Sequence, residues 1–103
     1  MCSSDLLKLL EAWVLTKLGL HGQVDLHAAR DGIGARGRAL VACLAMDHGL
    51  CSAASVARHF HRAKATLSEQ MSACRARPAD QQLLRTPVLR LIEEAVALPL
   101  RRK

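Results

Sequence analysis

Between Val56 and Met71 the chain reads VARHFHRAKATLSEQM, which sets two short helical stripes on either side of a stretch of small and basic residues. Val56 and Phe60 stand four apart on one helix face, and Ala57 beside them is small enough to let a second helix cross closely. Leu67, Met71 and Cys74 continue as an i, i+4, i+7 stripe on the next helix. Helices joined by about four residues must cross steeply, so this segment specifies a helix-turn-helix.

Such a crossing exposes the outer face of the second helix, where Lys64, Ser68, Ser72 and Arg75 recur at helical spacing with Ala65 and Glu69 beside them. A helix that enters a major groove needs small residues for backbone approach, donors for base edges and flanking cations for phosphates. The pattern supplies all three. Amphipathic helix pairs are also common in proteins that never touch DNA, where the polar face is simply solvated, so charge has to separate the two cases.

The formal net charge is +6, from 15 Lys plus Arg against 9 Asp plus Glu. No acidic residue lies between His48 and Ser68, a window that carries Arg58, Arg62, Lys64, His48, His59 and His61. A locally positive turn of this kind attracts a polyanion, and nucleic acid is the expected partner. Trp13 and Phe60 are the only aromatic residues, and both fall on apolar stripes. Single-strand and RNA modules stack bases on exposed rings, so double-stranded DNA is favoured.

At 103 residues the chain suits one core. With half the residues hydrophobic and no Tyr, Leu, Ala and Val must build that core, which points to a compact all-α domain. A first helix, capped by Ser3 or Ser4, carries Leu6, Leu9, Leu10, Trp13, Val14 and Leu18, and Gly19 and Gly22 end it. Val24 to Ala29 suits one helical turn anchored by Leu26. Ala29 to Arg38, ARDGIGARGR, reads as a flexible basic loop whose glycines let the backbone approach phosphate while its arginines neutralise it.

Leu40, Val41, Leu44 and Ala45 form the stripe of a third helix closed by Gly49, and Ser52 caps the next. The helix from about Ala63 to Cys74 stops before Pro78. Leu83 and Leu84 then make a short apolar piece, and Pro87 opens a last amphipathic helix with Val88, Leu91, Ile92, Ala95 and Val96 on its stripe. The expectation is a single domain over 1–103, with a core at 4–76 and a C-terminal helical extension and basic tail at 78–103. The last helix packs back on the domain or pairs two copies of the chain as a homodimer.

No segment approaches the ~18 consecutive apolar residues of a membrane span, and the N-terminus lacks the features of a signal peptide, so a cytoplasmic protein is expected. Cys2, Cys43, Cys51 and Cys74 show no CxxC pairing, so no disulfide is implied. Cys43, His48 and Cys51, with His59 and His61, lack the paired spacing of a zinc site. No metal, no cofactor and no catalytic residue are expected. Glu93 and Glu94 are adjacent and diverge on a helix, as solvated residues do.

The order of these elements, with ARGRALVACLA at Ala35 to Ala45 and VARHFHRAKATLS at Val56 to Ser68, resembles the C-terminal DNA-binding domain of the replication initiator DnaA. It is more similar still to the related domain appended to REP-associated tyrosine transposases. There a phrase similar to A-R-x-F-x-R-x-x-x-T-L-S recurs, met here by Ala57, Arg58, Phe60, Arg62, Thr66, Leu67 and Ser68. Both groups share the Trp-repressor-like fold, and the likeness covers roughly Leu6 to Cys74.

The resemblance implies a basic loop on phosphate or in the minor groove, and a turn and recognition helix in the major groove. Arg36 and Arg38 then belong to the loop, although Arg38 also fits the third helix pointing inward, which makes Arg36 the firmer contact. His61 and Arg62 belong to the turn, and Lys64, Thr66, Ser68 and Glu69 to the recognition helix. The turn HRAKAT is shorter than that of DnaA, and Ala63 and Ala65 replace polar readers, so a DnaA box is not the expected target. His61 takes a place where glycine is common, at a cost in strain if positive φ is required. Without tyrosine the chain cannot carry out the transposase strand cleavage. The alternative is a helical protein-interaction or dimerisation module that has lost DNA binding.

Overall fold

The computed structural model describes residues 4–19, 25–27 and 32–97. Among them are six helices and no strand: α1 (Ser4–Lys17), α2 (Gly32–Asp47), α3 (Ala53–Phe60), α4 (Lys64–Ala76), α5 (Pro78–Leu84) and α6 (Val88–Ala97). The fold is all-α, as the composition predicts. The cap expected at Ser3, the helix end at Gly22 and the basic tail lie outside the described residues, as does all but 25–27 of the expected turn.

α1 buries Leu7, Leu10, Trp13 and Val14, while Leu9 and Leu18 are only partly covered, so the predicted stripe is rotated to include Leu7. Gly19, at φ 75°, takes the chain off the helix in a left-handed conformation that costs glycine nothing.

α2 is the central element and packs against α1, α3, α4 and α5. Every residue from Ala39 to Ala45 is fully buried, the mark of a helix surrounded by others. The flexible loop expected over Ala29 to Arg38 is corrected over Gly32 to Arg38, which are helical, while Ala29 to Asp31 lie outside the described residues. Gly34 and Gly37 are buried packing positions, and a Cβ on Gly37 would stand 2.5 Å from Leu26 Cδ2. Glycine therefore lets Leu26 lie against the helix backbone, a role that looks identical to flexibility when only the sequence is read. Gly49, at φ 67°, closes the far end of α2 as predicted.

Ser52 caps α3, its Oγ accepting the Ser55 N–H at 3.1 Å. Val56, Ala57 and Phe60 are buried on one side of α3, and Leu67, Met71 and Cys74 on one side of α4, which matches the predicted spacing. Burying Phe60 alone contributes about 2 kcal/mol.

The short apolar piece expected around Leu83 is helix α5, which starts at Pro78 and carries the wholly buried Asp80. Leu91 and Ala95 of α6 join the same core as α1 to α4, and Trp13 Nε1–H donates to Glu94 Oε1 at 2.9 Å. Trp13, Arg90 and Lys17 together hold the Glu94 carboxyl down to about 2. Cys43 and Cys74 are free and buried, whereas Cys51 is disulfide-bonded. The expectation of no disulfide is thereby corrected; spacing in sequence does not tell which thiols meet in a fold.

Candidate nucleic-acid interface

The join between α3 and α4 is built from its hydrogen bonds. His61 N–H donates to the Arg58 carbonyl at 3.2 Å and Arg62 N–H to the Ala57 carbonyl at 2.9 Å, the paired bonds of a Schellman motif. His61 itself stands at φ 55°, ψ 47°, so the positive φ that favours glycine here is met by histidine. Three residues, His61 to Ala63, then lead straight into α4. Ala63 at the α4 N-cap has no side chain able to bond the first-turn amides.

His61, Lys64, Thr66, Ser68 and Glu69 are all exposed at this end of the molecule. Ala65, Ser72, Ala73 and Ala76 on the open side of α4 are exposed and small. Arg58, on the last turn of α3, is exposed as well. It is not among the predicted contacts, although it lies in the acid-free window from His48 to Ser68. Among the described residues no carboxylate pairs with Arg58, Arg62 or Lys64. At the opposite end of α4, Arg75 makes a two-pronged bond to Asp47 at 3.0 and 2.8 Å. Unpaired positive charge on α4 is thus concentrated at its start.

The predicted arginines divide differently. Arg38 is a buried residue of α2, and its Nη1 donates to the Leu26 carbonyl at 2.9 Å. As a loop contact it is corrected, because its guanidinium is turned into the protein to hold the 25–27 segment. Arg36 also sits on α2, and its Nε donates to Asp80 Oδ1 at 2.8 Å while Nη2 reaches the same oxygen. The expected place of Arg36 in a loop is corrected too: a wholly buried carboxylate claims its charge. Arg62 is half-buried, donating to the Phe60 and His27 carbonyls at 3.0 and 3.2 Å. It ties the turn to the 25–27 segment while staying cationic.

The structure therefore gathers His61, Arg62, Lys64, Thr66, Ser68 and Glu69 in and after one turn, and places Arg36 and Arg38 in internal contacts. No described helix is long and apolar enough to cross a membrane. No family model, no curated protein and no solved structure matches the chain.

Proposed function

We propose that the chain is a double-stranded DNA-binding domain in which α3, the His61–Ala63 turn and α4 form a helix-turn-helix of the Trp-repressor-like, DnaA C-terminal-like kind. The observation that carries this reading is the segregation of charge: Arg58, Arg62 and Lys64 are unmatched by carboxylates among the described residues, beside an α4 N-terminus that lacks a side-chain cap. Uncapped amides and the positive end of the helix dipole favour a phosphate oxygen, and the cations add to the same field. Lys64, Arg58 and Arg62 are assigned to phosphate. Thr66, Ser68 and Glu69 are assigned to base edges, with Ala65 and Ser72 keeping that face thin enough to enter a groove.

Arg36 and Arg38 leave the contact set. Selection of bound fragments from random duplex DNA tests the reading. The expected result is an enriched sequence with the wild type and a flattened preference with Thr66→Ala. Failure to retain any duplex at low salt would remove the proposal.

One observation favours the second reading, self-association. Leu89 and Val96, seven residues apart on α6, are 76% and 60% exposed. A second copy could cover that stripe, and sedimentation at increasing concentration reads it as a monomer–dimer shift that Leu89→Lys abolishes.

A further inference from the structure

Three side chains far apart in sequence converge beside the turn. His59 Nε2 of α3 lies 2.6 Å from Glu11 Oε2 of α1, and His27 Nε2 lies 3.2 Å from the same oxygen. The two imidazoles meet edge to face with centroids 4.6 Å apart. All three potential ligand atoms lie within 4.8 Å of one another, and no other such group of three occurs among the described residues. The side chains of His59 and Glu11 are only 8% and 13% exposed, whereas His27 is 36% exposed, so the cluster has a dry base and an open mouth. We propose that Glu11, His27 and His59 bind a divalent transition metal ion of the zinc type, with a fourth position open to water.

The donor set suits that ion. Two neutral imidazoles and one carboxylate form a known three-ligand zinc arrangement, and borderline-soft nitrogen donors favour zinc over magnesium or calcium. In a tetrahedral site with bonds of ~2.0–2.1 Å, ligand atoms sit roughly 3.3 Å apart. The Glu11–His27 separation already matches this, and the Glu11–His59 separation needs to open by only about 0.7 Å. A competing reading is a plain hydrogen-bonded staple in which both imidazoles donate to the carboxylate, and metal uptake separates the two.

The position gives the ion a structural consequence. The 25–27 segment is held by Arg38 through the Leu26 carbonyl and by Arg62 through the His27 carbonyl. A metal at His27 would lock that segment to α1 and α3 together, and through Arg62 would steady the turn that precedes α4. Binding of the ion stands whether or not the chain binds DNA.

The test uses the full chain, freed of metal by a chelator and titrated with zinc chloride by calorimetry, then with cobalt(II) followed by its visible d–d absorption. The expected result is one ion per chain, the intense bands of tetrahedral cobalt, and a melting temperature raised by several degrees on zinc addition. His27→Ala and Glu11→Gln, each checked for helicity by circular dichroism, should weaken binding by at least about 10-fold, and His61→Ala should not. Should a variant fail to fold, imidazole NMR of the wild type carries the test, with zinc shifting the His27 and His59 resonances and leaving His48 and His61 in place. A wild-type affinity weaker than about 1 mM, or uptake unchanged in folded His27→Ala, overturns the proposal.

Discussion

Asp80→Asn alters little in volume and a great deal in energy. The Asp80 side chain is 0% exposed; its Oδ1 accepts Arg36 Nε at 2.8 Å as well as Nη2, and its Oδ2 accepts Arg77 Nη1 at 3.1 Å. An amide keeps the shape, loses the charge and aims an N–H group at a guanidinium. Hydrogen bonds between charged partners contribute about 1.5–3 kcal/mol each. Arg77, half-exposed, regains water and accounts for only about 0–1 kcal/mol. Arg36, 27% exposed, is left partly buried without its counter-charge, so the total loss should be about 2–4 kcal/mol.

At ~4–8 °C per kcal/mol for a chain of this size, the melting temperature should fall by at least ~8 °C. Acid supplies a second readout. Burial pushes the Asp80 carboxyl up, but hydrogen bonds and charge from Arg36 and Arg77 more than reverse this and hold it below the usual carboxylate range. Because the folded value lies below the unfolded one, the contribution is complete above the unfolded value of about 3.9 and drains away as pH falls through the folded value. Urea melts of the wild type and variant should therefore differ fully at neutral pH and converge in acid. A loss under about 0.5 kcal/mol at neutral pH, or a gap that stays constant into acid, would mean that the Asp80 charge does not hold α5 to α2.

Gly37→Ala should destabilise by about 1 kcal/mol in chemical denaturation, because the overpacking against buried Leu26 exceeds the gain in helix propensity. In a Leu26→Ala background the same change should become neutral or favourable. His61→Gly should raise stability by about 0.5–1 kcal/mol, since glycine occupies the φ 55° conformation without strain; a loss would mean that the imidazole makes a contact of its own. Trp13→Phe removes the indole donor, so the Glu94 carboxyl, held at about 2, should titrate closer to its ordinary 4.5 in a carboxyl-resolved NMR titration.

Local chemistry was legible in the sequence wherever it was self-contained. The Ser52 cap, the left-handed Gly49, and the stripes at Val56/Phe60 and Leu67/Met71/Cys74 depend on neighbours within a few residues, and all stand as read. What escaped depends on partners distant in the chain. Gly37 and Arg38 resemble a basic loop until Leu26 is set against them, when the first becomes a packing glycine and the second a buried staple. Arg36 looked free because its partner, Asp80, lies 44 residues on, in a helix of seven residues. Glu11, His27 and His59 share no spacing at all and meet only through the packing of α1, α3 and the 25–27 segment.

Salt dependence of duplex binding, read by fluorescence anisotropy, reports on the turn and the start of α4 themselves. Arg58, Arg62 and Lys64 acting on phosphates predict that log K falls with log salt at a slope of about −3, and that Lys64→Ala lowers the magnitude by about 1 while leaving the helicity intact. No binding at low salt, or a slope indifferent to Lys64, would contradict the claim that this turn and the start of α4 hold DNA.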